Sequence, residues 1–507
     1  MKMNDQKVSL KEKIGYSLGD CSVNFVFQIM LVFQLGFYTD VFGIKATAAG
    51  TILLLARVID AFVDPVVGIM SDRTNTKWGK YRPWVLWTAI PFGLFFFLAF
   101  TTPDLTERYK VIYAGITYTL LMAIYSLNNT PYSALHGVMS SDINERTNIG
   151  SVRFVLAMIA SLVVQGFTLP LVDKFGQGDD QKGWSITIGI FSLVAIVFFV
   201  ITFLSTKERI TPPPSQKTSI KQDFNDLKKN GPWFSMFIVT LFIFTTLSLW
   251  GGGMYYFFSY YMKPEAIFSF LEQFNLIQNT SGDPSLLQKL MGTFGLLALP
   301  DKSNAFSVGF SFFNMIGQFV TIIGVLTLSA PLAKRFGKRN TFIVCLFMTA
   351  VFTGLFFFVP EDNVGLAFTL NILKSLFYAP TIPLLWAMMG DVADYSEWKY
   401  NRRATGFVFS GIVFALKAGL GLGGALCGWI VSVYGYEPNI VQSNEAIFGI
   451  RLTASLVPAT TFMVSVISLI FYVITKDFNI KIQSDLSERR QLQQSASALE
   501  LEDVSIN

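Results

Sequence analysis

With 507 residues, 52% hydrophobic and only 14% charged side chains, and a mean hydropathy of +0.48, the chain is too apolar for a soluble globular protein and reads as a polytopic membrane protein. A net charge of +5 is too modest to mark a nucleic-acid partner. One histidine, and three cysteines (Cys21, Cys345 and Cys427) that all fall in apolar runs, argue against a disulfide framework and a histidine-based metal or catalytic centre.

Residues 1–13 are polar and the apolar run behind them is too long for a signal-peptide core, so no cleavable leader is expected. Windows of about 19 residues predict twelve spans, at 15–38, 46–70, 83–101, 111–135, 150–172, 184–204, 234–261, 306–332, 341–359, 364–389, 406–434 and 448–474. The fold expected is an all-α integral membrane protein of twelve transmembrane helices. An even number puts both termini on one side. Lys2, Lys7, Lys11 and Lys13 precede the first span, Arg73, Lys77, Lys80 and Arg82 follow the second, and Lys334, Arg335, Lys338 and Arg339 follow the eighth. The positive-inside rule then makes that side the cytoplasmic face of the cell (inner or plasma) membrane.

The second span is the costly one. Arg57, Asp60 and Asp64 lie inside it, where a charge near the bilayer centre costs about 2.5–3.5 kcal/mol even on lenient scales. Asp60 and Asp64 are one turn apart, so their carboxylates share a helix face, with Cβ atoms about 5–6 Å apart. Two acids that close repel unless a cation or a proton lies between them. The pair therefore suits a proton or a hard monovalent cation, with Asp60 and Asp64 as the metal-ion ligands if the ion is Na+. The structural alternative is an Arg57–Asp60 ion pair, with Asp64 capping a helix break at Pro65.

The chain divides at residues 206–233, which contain Pro212, Pro213 and Pro214, into an N-terminal half (1–205) and a C-terminal half (234–475), followed by a polar tail (476–507). The halves echo each other: basic glycine-containing turns follow spans 2 and 8, and acidic-basic segments follow spans 4 and 10. Two parallel six-helix repeats describe a major-facilitator-type transporter with its substrate site between the halves. The connection 263–304 is long for a loop; its amphipathic stretches either cap the outer vestibule or lie on the membrane surface. Asn279-Thr280-Ser281 fits a glycosylation sequon. The tail is expected to be partly disordered.

Several motifs resemble those of the glycoside-pentoside-hexuronide:cation symporters, the family that includes the melibiose permeases. They are Lys13 to Asp20, Phe37-Tyr38-Thr39-Asp40, Ala56-Arg57 with Asp60-Ala61 and Asp64-Pro65, Trp78-Gly79-Lys80-Tyr81-Arg82-Pro83-Trp84, and Asp391-Val392-Ala393-Asp394-Tyr395-Ser396-Glu397-Trp398. The resemblance spans the whole chain apart from the 7–8 insertion and the tail. It implies sugar uptake driven by Na+, Li+ or H+ and sets the family's cation-site acids at Asp60 and Asp64. Asn24, Asn129 and Ser133 stand where melibiose permeases carry two acids and a tryptophan, which draws the chain toward the xyloside, glucuronide and oligosaccharide branches. Val63, between the two acids, removes a polar position common in the family and with it one oxygen ligand.

On the sugar side, Asp20 and Asn24 share a face of span 1, and span 4 offers Tyr125, Asn128 and Asn129 near Pro131, types suited to hydroxyl hydrogen bonds and ring stacking. The same residues also serve as interhelical glue. Lys417, in span 11, matches a family lysine; it either pairs with Asp60 or Asp64 beside the sugar or snorkels to an interface. Lys374, in span 10, has no partner that the sequence assigns. Arg57, with Asp142, Arg146 and Arg153 of one half and Asp391, Asp394 and Arg402 of the other, is expected to serve coupling and gating through ion pairs between the halves; the loop charges otherwise are ordinary solvated ones.

The function expected is secondary active transport, with Na+- or H+-coupled symport of a glycoside, pentoside or oligosaccharide by alternating access. The partners are a small sugar, a monovalent cation and the lipid bilayer, with no nucleic acid and no cofactor beyond the coupling ion. An uncoupled facilitator or a membrane sugar sensor is the alternative. An enzyme is not expected, for want of a nucleophile–base pair or a metal-ligand cluster.

Overall fold

The computed structural model describes residues 7–210, 229–278, 284–400, 405–489 and 491. Arg402 and the sequon at residues 279–281 lie outside them. The described chain is helical, and twelve helices follow the order of the expected spans. They are α1 (Leu10–Val32, carried on by Gln34–Val41), α2 (Ala46–Arg73), α3 (Arg82–Leu98), α4 (Glu107–Met139), α5 (Ile143–Gly176), α6 (Asp180–Ser205), α7 (Gly231–Tyr261), then α10 (Ala305–Phe336), α11 (Lys338–Phe358), α12 (Val364–Tyr400), α13 (Thr405–Val433) and α14 (Asn444–Ile470). Between α7 and α10 lie two short helices, α8 (Pro264–Gln273) and α9 (Leu286–Thr293).

Among the described residues, nine of the twelve are long and apolar enough to cross a membrane by themselves, and α1 is a tenth if its bent halves count as one span. The other two differ for physical reasons: α3 has only 17 residues, and α2 is long enough but carries Arg57, Asp60 and Asp64. Local chemistry starts the helices. Ser9, Asp142, Asp179, Asn230 and Ser443 each accept a backbone N–H of the first turn.

The halves mirror each other in detail. α1 and α7 both end in a π-helical turn, Phe37–Val41 and Phe257–Tyr261, of the kind that gathers at functional positions. Between the halves, α2 packs on α13, α5 on α10, and α1 on α7. The α2–α13 seam is made close by small residues: a Cβ on Gly50 would meet the Ala425 carbonyl at 3.0 Å, and one on Gly421 would meet Arg57 Cβ at 2.9 Å.

The long connection caps the bundle on the side opposite the termini. Residues 276–278 pair with Ala298, Phe294 meets Phe167 of α5 edge-on at 5.1 Å, and Lys174 Nζ donates to the Thr293 carbonyl at 2.5 Å. These contacts tie a segment of the C-terminal half onto α5 of the other half. Within the tail, residues 476–489 form a helix, α15. Phe478, Ile482 and Leu486, four apart, make one apolar stripe; Ile482 and Leu486 are buried, and Phe478 stands edge-on to Trp398 at 5.5 Å.

Candidate functional site: a bridged carboxylate pair beside a central cavity

α2 runs unbroken through Pro65, which removes the helix break invoked for Asp64. Asp60 and Asp64 instead face α4 and α13. Lys417 Nζ of α13 lies 2.8 Å from Asp60 Oδ2 and 2.6 Å from Asp64 Oδ2, and it also donates to Ser126 Oγ at 2.9 Å. The Ser126 hydroxyl donates to Asp60 Oδ1 at 2.5 Å, and Thr130 donates to Asp64 Oδ1 at 3.4 Å. The register is simple: Ser126 and Thr130, one turn apart on α4, meet Asp60 and Asp64, one turn apart on α2.

Asp60 and Lys417 are both buried. Charges taken this far from water persist only when paired, and removing one partner of such a pair costs about 3–5 kcal/mol. Among the described residues no Arg57–Asp60 ion pair forms; the buried Arg57 guanidinium reaches the Tyr118 phenol, with Asp60 and Tyr125 nearby. One ammonium from the second half therefore does the neutralising at both acids.

Several of the remaining predicted charges are engaged within their own half. Asp20 pairs with Arg153 at 3.1 Å, and Arg153 stacks over the Tyr132 ring at 5.2 Å. Asp142 caps α5, and the Arg146 carbonyl accepts from His136 at 3.0 Å. Lys338 donates to both oxygens of Asp391 at 2.7 Å, while Asp391 and Asp394 accept from Asn479 and Gln483 of α15.

A polar contact between the halves that the sequence did not reveal lies on the side opposite the termini. Asp40, at the π-helical end of α1, accepts from Tyr260 at 3.0 Å and from Tyr436. Asn439 Nδ2 donates to the Asp40 carbonyl at 2.7 Å, and Thr47 bonds Ser432 at 3.2 Å. Burial pushes the Tyr436 phenol well up, so it stays a donor.

Between the halves lies a cavity of about 390 Å³, within the range of small-ligand sites. Asn24, Gln28, Ser161 and Gln165 line it from one half, and Trp250, Asn314, Gln318, Asn371 and Lys374 from the other. Gln165 donates to Gln28 and Gln28 to Ser161, each at 2.9 Å. Of the predicted sugar residues, Asn24 lines this cavity and bonds the Asp20 carbonyl at 2.9 Å. Asn128 donates instead to Thr88 of α3 at 2.8 Å, and Tyr125 stacks on Phe92. Asn129, with a buried and unpartnered Oδ1, is likewise absent from the lining, and Lys417 belongs to the carboxylate pair. The residues that sequence reasoning missed carry a readable signal in retrospect: Gln28 lies four residues from the predicted Asn24, Gln165 four from Ser161, and Gln318 four from Asn314, one polar face per helix.

Residues 15–281 and 302–476 match the family described as MFS/sugar transport protein. The chain is 33% identical over 503 residues to Inner membrane symporter YicJ of Escherichia coli (strain K12), covering 99% of this chain and all of the relative. It is 34% identical to Putative glycoside/cation symporter YagG of the same organism, over 97% of each. It is 32% identical to Isoprimeverose transporter of Lactiplantibacillus pentosus, over 97% of this chain and 94% of that one. Among solved structures, a point mutant of the nucleoside transporter NupG (14% identity, 92% of this chain and 99% of that chain, TM-score 0.61) shares the fold. So does an inward-facing, unoccupied bacterial homologue of the lysosomal transporter Spinster (14% identity, 94% and 99%, TM-score 0.61). With a matched profile over most of the chain and relatives that align nearly end to end, this multi-pass membrane protein belongs to the MFS/sugar transport protein family, among the glycoside-pentoside-hexuronide:cation symporters.

Proposed function

We propose that the protein carries a glycoside, pentoside or oligosaccharide into the cell together with a monovalent cation, by alternating access of its two halves. The observation behind this reading is Lys417 bridging Asp60 and Asp64. Its ammonium stands where a coupling cation is needed, so ion entry and the α2–α13 contact compete for the same oxygens. A cation bound to Asp60 and Asp64 frees Lys417 and loosens one half from the other. The Ser126 and Thr130 hydroxyls add two oxygens beside the carboxylates; that donor set suits Na+ or Li+ and compensates for the oxygen absent at Val63. A proton works differently, by neutralising one of the two charges that hold Lys417.

The sugar occupies the cavity between the halves, where Asn24, Gln28, Ser161 and Gln165 meet its hydroxyls. The names of the relatives, a glycoside/cation symporter and an isoprimeverose transporter, support this class of cargo. With the termini in the cytoplasm, the Asp40 cluster closes the outer side, an arrangement that faces inward. Linkage requires sugar to raise cation affinity by the same factor that the cation raises sugar affinity.

The test is uptake of labelled 4-nitrophenyl glycosides into proteoliposomes under an inward Na+ gradient or an inward proton gradient, for wild type and Asp64→Asn. Accumulation above equilibrium that follows one ion and vanishes in the variant supports symport. Equal, gradient-independent equilibration in both proteins means a facilitator, and uptake in neither, with sugar still bound, means a sensor.

A further inference from the structure

Among the described residues lining the central cavity, Lys374 is the one formally charged side chain, and no carboxylate accompanies it. Three other cations in and around the bundle core are arranged differently: Lys417 faces Asp60 and Asp64, Arg153 faces Asp20, and Lys338 faces Asp391. Among the described residues no ion pair reaches Lys374, and its side-chain nitrogen rests over the Trp250 ring, 4.0 Å from the centroid. An aromatic face offsets only part of what an ammonium loses on leaving water. The wall around it is also rich in donors. Asn314 Nδ2, lining the same cavity from α10, is buried with no hydrogen-bond partner. α10 and α12 meet closely there, for a Cβ on Gly317 would sit 2.7 Å from Asn371 Nδ2 and 3.2 Å from Ser375 Oγ.

An unpaired cation and an unpaired amide donor in one wall call for a ligand group that only accepts hydrogen bonds and carries negative charge. A neutral sugar entering here would strip water from Lys374 and return no charge. A phosphate would bring nearly two charges against one lysine, whereas a carboxylate matches it one to one. The facing wall is neutral, with Gln165, Gln28 and Ser161 already in a hydrogen-bonded chain, as hydroxyl recognition needs.

We propose that Lys374 binds the carboxylate of an acidic sugar, so that the preferred cargo is a uronide rather than a neutral glycoside, its carboxylate toward Lys374, Asn314 and Trp250 and its hydroxyls toward Asn24 and Gln28. This rests on the symport reading for the place of the cargo and adds its charge.

The experiment uses the full chain in nanodiscs and a matched pair, 4-nitrophenyl glucuronide and 4-nitrophenyl glucoside in both anomers, which differ only by carboxylate against hydroxymethyl at C6. Calorimetry at pH 7 is expected to give the wild type an about 10–100-fold preference for the glucuronide, the worth of a hydrogen bond to a charged group. Lys374→Met is expected to bring the ratio near one and Lys374→Arg to keep it. Because the Met variant removes an unpaired charge, its Tm is expected to hold, which separates a lost site from a lost fold. Equal or tighter glucoside binding by the wild type, or a ratio unchanged in Lys374→Met, overturns the acidic-sugar assignment. Gradient-driven uptake of the glucoside would then still uphold symport, and binding and uptake of neither sugar would overturn both.

Discussion

Lys417 of α13 lies 2.6 Å from Asp64 of α2, so one ammonium fastens a helix of one half to a helix of the other at the carboxylates proposed to hold the coupling ion. A lysine in that position acts as a tethered competitor of the ion.

Lys417→Met leaves Asp60 and Asp64 unpaired inside the bundle. The loss is expected to cost about 3–5 kcal/mol without added cation, read as a lowered Tm in low-salt buffer. Added Na+ or Li+ then binds without competition and is expected to raise the Tm of this variant more than that of the wild type, by mass action on the folded state. A Tm of Lys417→Met that ignores both ions would remove the carboxylate pair as a cation site.

Asp40 gathers Tyr260, Tyr436 and Asn439 of the other half around one carboxylate and its own backbone carbonyl. Asp40→Asn keeps the shape but weakens each charge-assisted bond. Closure on that side can be read by cysteines placed at Thr47 and Ser432, whose hydroxyls are 3.2 Å apart. The pair is expected to form a disulfide readily in an otherwise wild-type chain and several-fold more slowly with Asp40→Asn. Because the Tyr436 phenol is pushed upward by burial, it remains protonated as pH rises from 8 to 9, a window well above the value of about 6 to which burial lifts the Asp40 carboxyl. The latch is therefore expected to be flat in pH over that window once the rate is corrected for thiolate fraction. Equal rates with and without Asp40→Asn would mean that the cluster does not hold the side shut.

Much of this architecture is legible in composition because lipid imposes its own arithmetic: spans show as apolar runs, and Asp60, Asp64 and Lys417 stand out as charges inside them. The cavity is harder to read. Gln28, Gln165, Asn314 and Gln318 are uncharged, and such residues serve equally as glue between helices. The sequence does not say which helix face turns to the seam between the halves; Asn128, equally polar, turns to Thr88 instead. The Asp40 cluster depends on Tyr436, remote in sequence, and on two π-helical turns that no periodicity announces. α15 was hidden by its average polarity, although Phe478, Ile482 and Leu486 carry the helical spacing.

α15 fastens the far end of α12. Asp485 accepts from Trp398 Nε1 at 2.8 Å, Gln483 and Asn479 donate to Asp394 and Asp391, and Ile482 is fully buried. Ile482→Ala is expected to lower stability by about 2–5 kcal/mol, the range for deleting a buried isoleucine side chain to alanine, measured as a fall in Tm in detergent. A Tm within one degree of the wild type would mean that α15 does not dock in solution.

The strap over α5 turns on one glycine. Gly295 has φ +73°, a conformation that favours glycine, and a Cβ there would sit 2.5 Å from the Pro170 carbonyl oxygen. Gly295→Ala therefore meets two penalties, a left-handed backbone of roughly 1 kcal/mol and a clash with backbone that cannot rotate away. The cheapest response is for residues 293–297 to lift off α5, which also breaks the bond from Lys174 to the Thr293 carbonyl. Since the strap joins the two halves, lifting it is expected to favour opening on that side. Hydrogen exchange of α9 should rise, the Thr47/Ser432 cysteine pair should react more slowly, and global Tm should change little because α9 is exposed and buries no residue fully. Lys174→Met, which removes only the tether, is expected to give a smaller effect of the same sign. Faster exchange in α9 with no change in cysteine reactivity would make the strap a surface ornament with no part in closure.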